Sequence, residues 1–262
     1  MRALQGLGPR LRIEPFTRAG KLVLNQSDAG ENVMRRLLIC HFALFLLGIA
    51  ATFPALKPAL AQSTGTAMPS DIDPRSGMRL PLPKREDLDE AGRKAYDRGT
   101  TPGATIAGLQ GPSGIQLFSP KTAEHAAALN RYLRYEAGFT PHVREVAILT
   151  TAREMDSQFE WVAHESEALK AGVPQGTIDI IKYRRSTEGA DATDALIVEL
   201  GRQLWRDHKV KSETFAKLLA IFGPNKLVEL VMLMGNYAGT AALLAAVDMQ
   251  LHAGNKPLLP IP

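Results

Sequence analysis

The sequence predicts an all-α protein, a bundle of about seven to eight helices with no significant sheet. Helix start and stop signals recur from Ser119 onward. No segment alternates polar and apolar residues over the length of a strand. Alanine and leucine dominate the second half, and aromatic residues make up only 6% of the chain. This composition favours helix over sheet.

Residues 34–61 have the pattern of a cleavable signal peptide. Two arginines open the segment, an uncharged and mostly apolar run covers residues 37–53, and an A-x-A motif ends at Ala61. We therefore expect a periplasmic or secreted protein that starts near Gln62 and does not contact the membrane after cleavage. Residues 1–33 are interpreted as a leader that precedes the true start of translation at Met34.

The net charge of +4 comes from the leader and the signal peptide together. Residues 1–61 contain eight basic and three acidic residues, which leaves 23 basic and 24 acidic residues in positions 62–262. That balance excludes the basic surface typical of a nucleic-acid-binding domain. The only cysteine is Cys40, so cleavage leaves a mature chain without thiol or disulfide chemistry.

Residues 62–85 are rich in Pro, Ser, Thr and Gly and predict an extended tail. The helical domain is expected over residues 86–262, with a first helix over residues 88–98. A Gly/Pro-rich loop follows over residues 100–120. Loops of this length are often functional, and this one is a candidate to cover a pocket.

Seven further helices are predicted from capping residues, prolines and glycines. They cover residues 119–138, 140–156, 157–171, 174–183, 191–207, 212–223 and 224–251. The last helix is apolar nearly all round, so we expect it to be buried on most sides, with a subunit interface covering part of it.

Glu160 and His164 are four residues apart, which places both on one helical face. Glu145 lies on the preceding helix, which a short break folds back. A carboxylate beside an imidazole orients the ring and makes an acid/base pair, and Trp161 is a candidate apolar wall beside it. A Glu and a His at this spacing on a helix are more often a solvated pair on the protein surface. A metal site using the two carboxylates and the imidazole is a further alternative, although no HExxH motif is present.

Arg131 and Arg134 are three residues apart on one predicted helix, and either is a candidate clamp for a substrate carboxylate. An exposed basic face is the alternative interpretation. Tyr237 is a candidate hydroxyl donor at the same site. Asn236 lies on the apolar final helix, where its amide needs a hydrogen-bond partner. It therefore either stabilises the structure or binds the substrate.

Several dispersed positions together resemble the core of the carboxymuconolactone decarboxylase family, which includes the alkyl-hydroperoxidase D peroxidases. The similarity covers roughly residues 82–251. The matching positions are Arg144-Glu145-Val146-Ala147-Ile148-Leu149, Ala152-Arg153, Ser157, Glu160-Trp161-Val162-Ala163-His164 and Ala171-Gly172-Val173.

The peroxidases of that family combine a glutamate, a C-x-x-C pair and a histidine four residues beyond the second cysteine. Glu145 and His164 match the glutamate and the histidine. Ser157 and Glu160 stand where the two cysteines would be. A serine and a carboxylate cannot reduce a peroxide by thiol–disulfide exchange, so thiol peroxidase activity is not expected.

The resemblance therefore implies the decarboxylase branch, with an alkyl-hydroperoxidase D-like fold and a trimeric or hexameric homo-oligomer. The implied activity is that of a lyase or isomerase with no cofactor or metal, acting on a small carboxylated lactone from aromatic compound degradation. His164 would be the proton donor, tuned by Glu160 and Glu145. Two alternatives remain open. One is a non-catalytic periplasmic binding or scaffold protein, and the other is a metal-dependent hydrolase or oxygenase using Glu145, Glu160 and His164.

Overall fold

The computed structural model describes residues 68–261, which form eight α-helices and no strand. The predicted all-α class is confirmed. A 3-10 turn, Arg85–Asp87, precedes the first helix, and a π-helical turn, Tyr132–Glu136, follows the third. The helices are α1 (Glu90–Thr100), α2 (Pro112–Gln116), α3 (Pro120–Arg131), α4 (Pro141–Glu154), α5 (Gln158–Lys170), α6 (Gln175–Lys182), α7 (Ala192–Trp205) and α8 (Ser212–Ala246). The leader and signal peptide lie outside the described residues and stay predictions.

Local capping chemistry explains why the helices begin and end where they do. The Thr140 hydroxyl accepts a hydrogen bond from the Val143 amide at 3.2 Å, with Pro141 at the first helical position of α4. The Asp191 carboxylate accepts from the Thr193 amide at 2.8 Å at the start of α7. Gly138 ends the preceding segment with a φ of 76°, which glycine adopts without strain.

The final helix is interrupted at the position where the sequence predicts a boundary between two helices, residues 223–224. Gly223, with φ 70° and ψ 171°, interrupts the helical path of α8, and Pro224 restarts it. The second half ends at Ala246, five residues before the predicted end. Asp248 adopts a φ of 50° in the turn that follows and redirects the chain.

Two other expectations need correction. The segment 100–120 is not entirely loop, because it contains the short helix α2. Residues 68–84 do not form an extended tail. The Arg79 amide donates to the Val247 carbonyl at 2.9 Å, and the Gln250 amide donates to the Gly77 carbonyl at 2.7 Å. Met78 is fully buried in an apolar cluster with Phe159 and others, so this segment is part of the domain.

Helix α4 is the centre of the bundle and packs against α5, α6, α7 and α8. Every residue from 145 to 153 is buried. Because these residues go round the helix more than twice, α4 has no exposed face in its second half. Its charged residues must therefore find partners inside the domain, and Glu145 is one of them.

Helix α8 is less buried than its sequence predicts. It is long and apolar enough to cross a membrane, but a domain-core helix meets the same criteria, and one face of α8 joins the core. Only 28% of its most apolar stretch is buried. Val228, Met232 and Leu243 are each about half exposed. The expectation that this helix is buried on most sides is wrong for a single copy, and the subunit interface stays a prediction.

Close packing between α4, α7 and α8 depends on a glycine. A Cβ added at Gly201 would lie 2.4 Å from Thr150 Cγ2 and 2.9 Å from Met234 Cε. We expect Gly201→Ala to destabilise the fold by about 1–3 kcal/mol, as overpacked cores do. Gly176→Ala is the matched control, because no atom lies within 4 Å of its added Cβ. Denaturant unfolding of both variants tests this, and equal stabilities would contradict the packing described.

Candidate active site

The candidate site is built on the contact between α4 and α5. The turn after α4 contains Asp156, with a φ of 48°, and α5 begins at Gln158 and returns along α4. His164 Nδ1 then lies 2.8 Å from Glu145 Oε2. Both residues are at most 3% exposed. The carboxylate that holds the imidazole is therefore Glu145, which was expected as the second carboxylate of a relay, and the pair is buried.

Glu145 also has a cationic partner. Arg144 Nε donates to Glu145 Oε1 at 3.0 Å, so each carboxylate oxygen has one partner. Burial raises the pKa of Glu145, but the His164 hydrogen bond and charge, together with Arg144, outweigh it and lower the pKa overall. Glu145 is therefore ionised, and an ionised carboxylate can only accept, so His164 Nδ1 carries a proton.

Glu160 has the opposite character. Its carboxyl oxygen Oε2 lies 3.7 Å from His164 Nε2, beyond hydrogen-bond distance. Burial raises the pKa of Glu160, and the charges of His164 and Arg134 offset this only in part. The neutral carboxyl is therefore favoured on one side of the imidazole, while an ionised carboxylate holds the other side.

A cavity of about 800 Å³ opens onto this group. Glu160 and His164 line it, whereas Glu145 lies behind the imidazole and does not. The size falls within the usual range for small-molecule sites. The segment before α2 supplies one wall, through residues 104–107, which agrees with the expectation that the long Gly/Pro segment covers a pocket.

Arg134 and Tyr237 line the same cavity. The Tyr237 ring packs edge-on against the His164 imidazole, with 5.2 Å between centroids. Burial raises the pKa of Tyr237 far above its ordinary value, so its hydroxyl stays protonated. Arg134 Nε is buried without a hydrogen-bond partner among residues 68–261. The guanidinium carbon lies 5.0 Å from the centre of the Tyr135 ring, so within the described part of the chain the cation has an aromatic neighbour but no ion-pair partner, and Arg134 is a candidate partner for an anion in the cavity.

Two other predicted substrate contacts are placed differently. Arg131 lines the cavity, but its side chain is 70% exposed and its Nε is paired with Glu136 Oε1 at 3.2 Å. Trp161 does not line the cavity. It is fully buried in the core, with the Lys182 ammonium 5.9 Å from its ring. Trp161 follows Glu160 by one position, and consecutive residues point about 100° apart round a helix.

Sequence reasoning missed two contributors to the site. Arg144 entered the sequence analysis only as part of a motif. Its contact with Glu145 was not expected, because adjacent residues do not normally share a helical face. Asn130 was missed although it lies four residues before Arg134, a spacing that predicts one shared face. Asn130 and Asn236 both line the cavity.

Glu145, Glu160 and His164 do not form a metal site as they stand. Within residues 68–261, no group of three His, Cys, Asp or Glu side chains is arranged to hold a metal ion. The ring nitrogen facing Glu145 is hydrogen-bonded to it. The arrangement is suited to storing and moving a proton beside a cationic pocket.

No family model, curated protein or solved structure matches this chain. The resemblance to the carboxymuconolactone decarboxylase family and the roles it implies therefore stay predictions. The chemistry of the site has to be argued from its own geometry.

The raised pKa of Glu160 makes stability depend on pH. At pH values below 4.5, the ordinary pKa of a glutamate carboxyl group, Glu160 is protonated in both the folded and the unfolded chain. As pH rises, the unfolded chain loses the proton more readily, so folding becomes less favourable. We expect Glu160→Gln to raise the melting temperature relative to wild type at about pH 8 but not at about pH 4.

Thermal unfolding at the two pH values tests this, with the exposed Glu188→Gln as control. A melting-temperature difference that is the same at both pH values would contradict a neutral Glu160.

Proposed function

We propose that this chain is an exported, cofactor-free lyase or isomerase that acts on a small carboxylated, lactone-type compound. The observation that carries the proposal is the buried imidazole of His164, held at Nδ1 by Glu145 at 2.8 Å. Its Nε2 faces Glu160 and the cavity. This geometry supports general acid/base chemistry on a small molecule.

The pocket favours a substrate with a carboxylate. Arg134 lines the cavity with an unpartnered Nε, and a guanidinium is the usual partner of a carboxylate in a partly buried site. Arg131 is paired with Glu136 and lies nearer to solvent. We therefore assign carboxylate binding to Arg134 and not to Arg131.

Decarboxylation then needs one broken bond and one proton. The bond between the carboxylate and the substrate carbon breaks, CO2 leaves, and the electron pair moves into the conjugated lactone carbonyl. A proton from His164 Nε2 is added to the carbon framework. Glu160, whose raised pKa favours its protonated form, returns a proton to the imidazole through a water molecule and regains one from solvent, while Glu145 stabilises the cationic ring.

The test is CO2 release by the purified protein from a panel of carboxylated lactones. His164→Ala should reduce the rate by about 10²–10⁴-fold, the usual contribution of a positioned acid or base. His125→Ala is the matched control, because His125 is exposed on α3 and does not line the cavity. No release from any member of the panel, or full activity in a folded His164→Ala variant, would contradict the proposal. The first result would favour a binding role.

We further propose that a second copy of the chain covers the exposed face of α8. Val228, Met232, Gly235, Gly239 and Leu243 recur every three or four residues, so they form one stripe along the helix. All five are exposed. No charged residue occurs between positions 230 and 247, and the two glycines allow close approach of another backbone.

The stripe continues onto the rim of the cavity. Gly235, Gly239 and Leu243 line the cavity together with Ile106 and Tyr135, which are 50% and 62% exposed. These side chains extend the exposed surface beyond the stripe, as a standard interface of about 800 Å² per partner requires. A second copy would therefore lie against the cavity opening.

Met232→Glu should convert the oligomer to monomers, because a buried unpaired charge is strongly unfavourable at an interface. Light scattering after size-exclusion chromatography measures the mass. Ala216→Glu, which is exposed on the first half of α8, should leave the mass unchanged. A monomeric wild-type protein, or an oligomer that survives Met232→Glu, would contradict the proposed interface.

A further inference from the structure

Two amide side chains form a pair on the cavity wall. Asn236 Nδ2 donates to Asn130 Oδ1 at 3.1 Å, which joins α8 to α3. Both residues line the cavity and both are half-buried. Within residues 68–261, this is the only hydrogen bond of either side chain, and the remaining Asn130 amide nitrogen and Asn236 amide oxygen are not among the buried atoms, so both are open to the cavity.

The unused atoms of this pair are one donor group and one acceptor. Each amide has an NH2 donor and a carbonyl acceptor, and the mutual bond uses one of each. Exchanging the orientation of both amides leaves the same two kinds of group unused. The mutual bond also fixes both side chains, so a ligand does not have to order them.

The pair lies on the same stretch of helix as the candidate carboxylate-binding group. Asn130 precedes Arg134 by four residues on the continuous α3 and π-helical segment. About one helical turn separates the two backbone positions, and both side chains line the cavity. Thus the cavity wall offers a cation and, about one turn away, a fixed amide donor.

A carboxylated five-membered lactone carries one group for each of these two partners. By ordinary bond lengths, its ring carbonyl oxygen lies about 5 Å from the carboxylate carbon when the two groups are on opposite sides of the ring. The oxygen accepts hydrogen bonds, and it is also the atom to which electrons move when CO2 leaves. A donor at this position would bind the ground state and stabilise the developing negative charge.

We propose that the Asn130–Asn236 amide pair binds the lactone carbonyl oxygen of a substrate whose carboxylate is held by Arg134. This inference rests on the proposed function, because it takes the substrate class from it. It identifies the side chains of the protein that would distinguish a lactone acid from other small carboxylates of similar size.

Two stable ligands separate carbonyl recognition from carboxylate binding. Paraconate is a saturated lactone with one ring carboxylate, and its cyclic ether analogue has a methylene in place of the ring carbonyl. Calorimetric titration of the full chain should show paraconate binding about 5- to 10-fold more tightly, the usual range for one hydrogen bond. Asn130→Ala and Asn236→Ala should each reduce that ratio towards one.

Two further variants serve as controls. Asn225→Ala, exposed at the start of the second half of α8, should keep the wild-type ratio. Arg134→Gln should weaken both ligands equally. Thermal unfolding of each variant verifies that it is folded.

The possible failures are distinguishable. If both ligands bind and a folded Asn130→Ala variant keeps the wild-type ratio, the amide assignment is overturned while the proposed function stands. If neither ligand binds the wild-type protein, the proposed substrate class is overturned, and this inference with it.

Discussion

The ionised Glu145 carboxylate, buried in the centre of the bundle, is the constraint on which the site depends. A buried charge without partners would be strongly destabilising. Arg144 satisfies one oxygen, and His164 satisfies the other from a different helix. The α4–α5 contact therefore has to bring the imidazole to 2.8 Å, and this requirement fixes the orientation of the ring. Its second nitrogen then faces the cavity as a consequence of the packing.

The two carboxyl groups beside the imidazole have opposite charge states. Hydrogen bonds and cationic neighbours keep Glu145 ionised, whereas burial without a close hydrogen-bond donor favours neutral Glu160. Pairs of groups with separated pKa values are typical of acid/base sites, because one member holds charge while the other supplies protons. Arg134 adds a cation near Glu160 and Tyr237. The same few residues therefore combine two carboxyl groups of opposite charge state with a cation.

Much of the fold could be predicted because helix punctuation is a local property. Thr140 and Asp191 cap helices by bonds within three residues, and Gly223 breaks α8 by its own backbone conformation. Helical spacing correctly placed Glu160 beside His164, and the short turn after α4 indicated that Glu145 would come near, but the spacing did not show that Glu145 makes the hydrogen bond. Trp161 was misplaced because it follows Glu160 by one position and therefore points about 100° away from it. The spacing of Asn130 and Arg134 indicates a shared face, but the hydrogen bond from Asn236 to Asn130 joins residues 106 positions apart and has no local signal.

The protonation of His164 Nδ1 is the most direct consequence of a buried, ionised Glu145. Nitrogen-15 NMR of protein labelled at histidine reports which ring nitrogen carries the proton, and a His164→Gln variant assigns the signal. We expect a downfield, slowly exchanging Nδ1 proton that disappears in a folded Glu145→Ala variant. An unprotonated Nδ1, or a signal unchanged by Glu145→Ala, would contradict a buried ionised carboxylate holding the imidazole.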